Sequence, residues 1–244
     1  MKKELSIRKM KLAAAGGMLA LTLIAGSLMP GITAEAAVEK NQANVLASKA
    51  SSRREAARLA AKELAVLEEN RDLTGLQTVS AEFLEFEIPE NWDEESFDEE
   101  DFDLGDDEIY ARAYGENVKD LEDIDDFSEI DVPMSAVVIV AMSTDGISGE
   151  DFDFDMTYLF DEETFAMLLD EMMVEEDYDL TVERVGRTPL GNVVKAAADD
   201  GTMHSEVYVA WGKDWMYVLM SIDMLGATDG YKTAEDIVMF GRPQ

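Results

Sequence analysis

The sequence predicts an α+β domain built on an antiparallel sheet. Segments of strand length recur between residues 81 and 223, turn residues such as Gly, Asp and Pro separate them, and two helical patterns occur late in the chain, at 162–173 and 233–240. Short strands joined by hairpins, with few helices, are typical of this fold class. No internal repeat of solenoid length is present.

The first 36 residues have the pattern of an export signal. Residues 1–11 carry five bases, residues 12–28 carry no charge, and a Pro-Gly pair at 30–31 ends any helix before the small residues of Ala34-Glu35-Ala36. We therefore expect a secreted or cell-surface protein of bacterial type, whose mature chain starts near Ala37. A retained membrane anchor is the alternative, because 17 apolar residues come near the ~20 that span a bilayer.

The strong negative charge excludes several classes of function. The 244 residues include 54 Asp and Glu against 20 Lys and Arg, for a formal net charge of -34. Nucleic acid and anionic membrane surfaces would repel such a chain. The chain has no Cys, which excludes disulfides, thiolate metal sites and Cys nucleophiles.

Residues 37–75 are predicted to form a helical arm ahead of the main domain. The segment 43–70 is rich in Ala, Leu, Glu, Arg and Lys, with apolar residues at three- and four-residue spacing, and Gly75 is the candidate C-terminal cap of this helix. Residues 37–71 are mildly basic, with seven bases and five acids. The arm either docks on its own acidic domain or on an anionic cell-wall polymer, or it is a solvated spacer helix.

The main domain, residues 76–244, is predicted to begin with a strand and an acidic insert. Residues 81–88 alternate acidic and apolar side chains, which indicates a half-buried strand closed by Pro89. The insert, residues 93–131, contains 19 acids and two bases. Within the insert we expect an acidic loop at 93–108, a strand at 109–114, and a loop or short irregular helix at 119–131.

The rest of the domain is predicted to be a series of hairpins with two helices. Residues 136–142 form a continuous Val- and Ile-rich run, which is typical of a strand buried on both faces. Asp161 is the candidate N-cap of the helix at 162–173. The many methionines are interpreted as adaptable core residues rather than as metal ligands. Further strands are expected at 151–158, 181–187, 192–198, 203–211 and 215–223, and a closing helix at 233–240.

The order of these elements carries a resemblance to a known family. The opening strand ends in Phe86-Glu-Ile88-Pro89-Glu-Asn-Trp92, and an apolar strand, a helix, a run of hairpins and a short helix at 234–240 follow. Over residues 81–241 the chain thereby resembles the PsbP-like family of secreted bacterial proteins, which is related in fold to the extrinsic PsbP subunit of photosystem II. The resemblance implies an α/β/α sandwich, in which helices flank a central antiparallel sheet. It also implies a binding or assembly module without a shared catalytic constellation.

The acidic insert contains the candidate metal site. Carboxylates crowd within a Debye length of ~8 Å of one another in 93–108, and their mutual repulsion favours a hard divalent cation such as calcium. A solvated acidic loop that keeps a secreted protein soluble is the alternative. The candidate ligands are Asp98, Glu99, Asp101, Asp103 and Asp106.

A second calcium pattern occurs at residues 151–162. Asp151, Asp153, Asp155 and Glu162 occupy positions 1, 3, 5 and 12 of an EF-hand-like loop. Met156 stands where an EF-hand needs Gly, and the alternating apolar residues of this segment favour a strand instead.

Signals for catalysis are weak. His204 is the only His, no Ser nucleophile elbow is present, and zinc sites use two or three His or Cys ligands, so His204 is interpreted as a residue at the end of a hairpin. Trp92, Trp211 and Trp215 are candidates for sugar stacking, although hairpin packing explains the last two.

The sequence therefore predicts an exported, acidic, non-enzymatic binding or assembly module without a cofactor. Its expected partner is a protein or a cation rather than nucleic acid, and we expect no membrane insertion after signal cleavage. A calcium-binding module is one alternative, and a small extracellular hydrolase that uses a pair of carboxylates is the other.

Overall fold

The computed structural model describes residues 62, 65–69, 71–96, 109–116, 131–143, 165–166, 169, 173, 177–212 and 214–244. These residues belong to two compact units, one that ends at Thr74 and one that begins at Gly75. In the first unit, residues 62 and 65–69 are helical. Within the described ranges, no helix has the length and apolarity needed to cross a bilayer.

The second unit contains ten strands and one long helix among its described residues. The helix, α1, spans Asp229–Phe240. The strands are β1 (Leu76–Ser80), β2 (Leu84–Pro89), β3 (Asp93–Ser96), β4 (Ile109–Gly115), β5 (Met134–Ser143), β6 (Asp179–Thr188), β7 (Gly191–Asp199), β8 (Met203–Trp211), β9 (Trp215–Met224) and, after the helix, β10 (Arg242–Pro243).

The strands form two antiparallel sheets. The large sheet has the order β3-β4-β5-β9-β8-β7-β6, and the small sheet has the order β1-β2-β10. The predicted strands at 109–114, 136–142, 181–187, 192–198, 203–211 and 215–223 are confirmed to within three residues at their ends. The antiparallel sheet of the predicted α+β class is thereby shown, whereas helices on both of its faces stay a prediction.

The two faces of the large sheet differ in what packs on them. The face that we call the helix face carries Val137, Ile139, Tyr217 and Leu219, and these residues share one buried core with α1 and β2. The helix contributes Ala234, Ile237 and Val238 to this core, and β2 contributes Leu84, Phe86 and Ile88.

The opposite face is also buried, which explains the continuous apolar run of β5. Residues Met134 to Met142 are all buried, because alternate side chains of this central strand point to the helix face and to the opposite face. The prediction of a strand buried on both faces is therefore confirmed.

The structure corrects three details of the sequence prediction. Residues 76–80 form β1, which the sequence did not predict, and the strand expected at 81–88 begins at Leu84. The acidic loop expected at 93–108 begins with a strand, because Asp93–Ser96 pair with β4 and Arg112 lies 3.3 Å from the carboxylate of Glu94.

The helix ends also differ from the prediction. Gly75 does adopt a positive φ of 77°, but it lies in the turn into β1 rather than directly after the helical residues that end at Glu69. The closing helix α1 begins four residues before the predicted Thr233. Of the helix predicted at 162–173, residues 165, 166 and 169 are helical and Met173 is not. The strand at 151–158, the segment 119–130 and most of the arm lie outside the described residues.

Candidate functional site

Polar side chains gather on the helix face, at the end of the sheet where α1 begins. They form two groups on β5, β7, β8 and β9. We call the first group the polar cluster; it consists of Lys195, Asp199, His204, Glu206 and Tyr208. The second, the helix cap, consists of Asp223 and Ser135.

Strand pairing brings the polar cluster together. His204, Glu206 and Tyr208 alternate along β8 and therefore point to the same face. In the register with β7, Lys195 lies opposite Tyr208 and Asp199 lies opposite His204. Four of the five residues are thus direct cross-strand neighbours, and Glu206 lies between the two pairs.

Glu206 is the centre of the polar cluster. It is only 5% exposed, and its two carboxylate oxygens contact different partners. The Lys195 ammonium lies 2.6 Å from Oε1, and the Tyr208 hydroxyl donates a 2.6 Å hydrogen bond to Oε2. A buried carboxylate is stable only when it is paired and hydrogen-bonded in this way.

His204 bridges the polar cluster to the first turn of α1. Its Nδ1 lies 3.2 Å from Asp199 and its Nε2 lies 3.5 Å from Glu206. Its ring meets the ring of Tyr231 edge to face, at 5.4 Å between centroids. The prediction that His204 is a hairpin-end residue is confirmed, and the structure adds that it contacts acids on both sides.

Three buried tyrosines have a raised pKa. Burial raises the pKa of Tyr208 above its ordinary value, and the hydrogen bond to Glu206 raises it further. Burial likewise raises the pKa of Tyr114 and of Tyr217, with smaller contributions from Glu94 and Asp214 respectively. All three hydroxyls therefore stay protonated at physiological pH, and Tyr208 remains a hydrogen-bond donor to Glu206.

The helix cap accepts hydrogen bonds from backbone N–H groups in the first turn of α1, although its residues lie on strands β5 and β9. Thr228, at the N-cap position, makes no side-chain cap hydrogen bond. The buried carboxylate of Asp223 instead accepts hydrogen bonds from the backbone N–H groups of Gly230 at 2.8 Å and Tyr231 at 2.7 Å. Ser135 donates a 2.5 Å hydrogen bond to Asp223 and accepts one from the backbone of Asp229 at 3.2 Å. A carboxylate at this position also interacts favourably with the helix dipole.

Glycine at position 230 is required by the approach of this carboxylate. A Cβ atom added at Gly230 would lie 2.8 Å from both oxygens of Asp223. The close contact between strand β9 and the first turn of α1 therefore depends on the absence of a side chain.

The two buried carboxylates do not form a hydrolytic pair. Glu206 lies opposite Ser221 and Asp223 lies opposite His204, so the two acids are diagonal neighbours on one face, with about 7–8 Å between their backbones. Glycoside hydrolysis uses a pair of neighbouring carboxylates. However, hydrogen bonds from the protein itself occupy both oxygens of Asp223, and Lys195 and Tyr208 occupy those of Glu206. Neither acid is presented to a substrate.

The predicted metal ligands lie in other parts of the chain. Asp98, Glu99, Asp101, Asp103 and Asp106, as well as the EF-hand-like pattern at 151–162, fall outside the described residues. Among the residues that are described, no group of three or more His, Asp or Glu side chains is arranged to hold a metal ion. The calcium prediction therefore stays a prediction.

The tryptophans mostly have the packing role that the sequence predicted. Trp92 and Trp211 are buried. Trp215 is partly buried and meets the rings of Phe83 and Tyr110 at 6.2 and 5.7 Å between centroids. These contacts hold the ring of Trp215 against the domain.

The sequence did not identify Lys195, Glu206 and Asp223 as site residues. One signal was present, because Glu206 is the one acid of β8 and stands directly before the apolar run from Val207 to Trp211. Its partners come from neighbouring strands and become apparent only from the register.

Comparisons with known proteins add little to this description. No protein-family model matches the chain, and no curated protein matches it. Among solved structures, the chain is similar to the solution structure of cyanobacterial PsbP (CyanoP) from Synechocystis sp. PCC 6803, with 14% identity over 69% of this chain and 92% of that chain, and a TM-score of 0.37. The match falls on the family that the sequence resembles. At this TM-score it carries no argument about the partner or activity of the chain.

Proposed function

We propose that this protein is an exported, non-catalytic binding module that presents an acidic surface to a basic partner. One observation carries the proposal. Among the described residues, Glu206 and Asp223 are the only buried acids, and both are fully engaged inside the domain. The other acids of the described ranges are at least partly exposed, and the whole chain has a net charge of -34.

This division of the acids supports binding over catalysis. A catalytic carboxylate needs a perturbed environment and an oxygen free to meet the substrate. In the described part of the chain, the two buried acids have no free oxygen, and the exposed acids lack the burial that tunes a catalytic group. An exposed acidic surface, by contrast, attracts cations and basic proteins and accelerates their association.

The proposal is tested by calorimetric titration of the protein with a lysine-rich peptide. A peptide of the same length with Gln in place of Lys serves as the control. We expect saturable binding of the Lys peptide that weakens as salt rises from 50 to 300 mM, because the interaction is electrostatic. No binding, or equal binding of the Gln peptide, would contradict the proposal.

The same assay separates the calcium alternative. Calcium is titrated in parallel, with magnesium as the control and thermal unfolding as a second readout. A stoichiometric, magnesium-resistant site that raises the melting temperature would favour a calcium-binding module and direct mutagenesis to Asp98, Glu99, Asp101, Asp103 and Asp106.

A further inference from the structure

The face of the large sheet opposite α1 is rich in methionine. On the three central strands β5, β9 and β8, alternate side chains point to this face, and all its methionines are at most 9% exposed. We call it the methionine face. Its methionines on these strands are Met134, Met142, Met203, Met216, Met220 and Met224.

Three of these methionines form a row across adjacent strands. In the strand register, Met224 of β9 pairs with Met134 of β5 on one side and with Met203 of β8 on the other. Neighbouring strands lie about 4.8 Å apart, so Met224 is the immediate neighbour of both flanking residues. No other position on these strands places three methionines side by side; the opposite end of the sheet has Met142, Met216 and Trp211 in register.

The row lies at the end of the sheet. Met134 and Met203 are the first residues of their strands, and Met224 is the last residue of β9. Residues close to the row in the chain are exposed to solvent: Val132 is 60% exposed and Leu225 is 41% exposed. Met134 itself keeps 7% of its surface accessible, whereas Met203 and Met224 are 1% and 0% exposed.

Three thioethers at this spacing form a soft ligand set. Methionine has three rotatable bonds, which lets the two flanking sulfur atoms lean towards the central one. Thioether sulfur selects soft cations such as Cu(I), whereas calcium, magnesium and zinc prefer oxygen, nitrogen or thiolate ligands. The charged groups of this end, Asp223 and His204, point to the helix face and are engaged there.

We propose that Met134, Met203 and Met224 form a binding site for a soft monovalent cation, Cu(I). The site goes beyond the proposed function, because it lies on the apolar face and uses none of the exposed acids. Copper would bind as Cu(I) without any change of oxidation state.

The test is a Cu(I) titration of the protein against the chromogenic competitor bicinchoninate, under anaerobic and reducing conditions. We expect one equivalent to bind, and Met224→Leu to weaken its affinity at least tenfold, because Leu removes the central thioether. Met→Leu substitutions conserve volume, so the fold should survive, and thermal unfolding of each variant confirms this. Met216→Leu, at the other end of β9, is the matched control and should bind like the unmodified protein.

Three outcomes would overturn the proposal. They are the absence of stoichiometric Cu(I) binding, unchanged affinity in Met224→Leu, or an equal loss in Met216→Leu. X-ray absorption of the loaded protein gives an independent readout, in which we expect a shell of sulfur around the copper. A shell of oxygen and nitrogen alone would place the copper on the acids. Binding of the Lys peptide should be the same in Met224→Leu, so failure of the copper site and failure of the proposed function are distinguishable.

Discussion

Replacing Asp223 by Ala tests whether a distant carboxylate caps α1. Asp223 is 1% exposed, and it accepts hydrogen bonds from two backbone N–H groups in the first turn of the helix and from Ser135. The substitution removes the acceptor and leaves two N–H groups without a partner, that of Gly230 in a buried position and that of Tyr231 in a partly buried one. We expect a large loss of stability, because nothing else in the local sequence replaces this cap.

The magnitude follows from the bonds that are lost. A hydrogen bond to a charged group contributes about 1.5–3 kcal/mol, and the loss of a helix cap costs about 0.5–2 kcal/mol. These values overlap, since the capping bonds are the same bonds. Asp223 accepts two such bonds from α1, so we expect Asp223→Ala to lower the free energy of unfolding by about 3–5 kcal/mol, which is a large part of the 5–15 kcal/mol typical of a domain.

The assay is equilibrium unfolding in urea at pH 7, followed by tryptophan fluorescence and far-ultraviolet circular dichroism. Asp229→Ala is the matched control, because Asp229 is an exposed acid in the same helical turn and should cost less than about 1 kcal/mol. Ser135→Ala should fall between the two. Asp223→Asn keeps one acceptor oxygen. It replaces the Ala variant in this assay if the Ala variant does not fold. A loss below about 1 kcal/mol in Asp223→Ala would refute the capping argument.

Three further predictions concern the polar cluster, a strained turn and the buried tyrosines. Lys195→Met should lower the free energy of unfolding in urea by about 2–3 kcal/mol, because it leaves the buried carboxylate of Glu206 without its cation. Adding Glu206→Leu should restore at least half of this loss. A double variant that is no more stable than Lys195→Met would contradict the pairing. Leu225 has a φ of 53° and precedes Gly226 in a turn that is closed by a 3.1 Å hydrogen bond from the N–H of Ala227 to the carbonyl of Met224. Asn adopts a positive φ more readily than Leu, so Leu225→Asn should raise the free energy of unfolding by about 0.5–1 kcal/mol. Leu225→Ala should not. A tyrosine in the unfolded chain has a pKa near 10, and the pKa of Tyr114, Tyr208 and Tyr217 in the folded protein is higher. The stability that each of them contributes is therefore complete below about pH 10. Above that pH it falls by about 1.4 kcal/mol per pH unit for each tyrosine. The urea midpoint, measured from pH 8 to 11.5, should show this fall, and its decrease with pH should be about a third smaller in Tyr208→Phe. A midpoint that stays constant to pH 11.5 would show that the pKa values of the three hydroxyls are not raised by folding.

The strands that the sequence predicted are those with a strong apolar pattern. β5 has a continuous Val- and Ile-rich run because both its faces are buried, and β8 and β9 lie beside it in the centre of the sheet. The strands that escaped prediction lack this signal. β1 is mostly exposed and is held by its backbone pairing with β2, and β3 consists of three acids and a Ser at the edge of the large sheet. Neither buries enough apolar surface to leave a period-two pattern.

The start of α1 was misplaced for a related reason. Helix starts are predicted from a capping side chain just before the first turn, and here Thr228 does not cap. The cap comes from Asp223, which is buried near the end of β9. Nothing in the sequence distinguishes Asp223 from the other Asp and Glu residues, of which the chain has 54 in total. The polar cluster was hidden in the same way, because Lys195 and Glu206 become partners only through the pairing of β7 with β8.

The positions of the acids explain how so negative a chain can still form a compact domain. Self-repulsion at a net charge of -34 opposes compaction, and a buried acid without partners would add several kcal/mol of desolvation. Among its described residues the domain buries two acids, and each one is matched by donors that the fold itself supplies: a helix N-terminus for Asp223, and Lys195 with Tyr208 for Glu206. These two carboxylates therefore tie α1 and the hairpins to the sheet, whereas the exposed acids belong to the surface that we propose for a cationic partner. Binding at the acidic surface should for this reason depend strongly on salt, whereas the buried pairs, which ions in solution do not reach, should hold the fold together at the same salt concentrations.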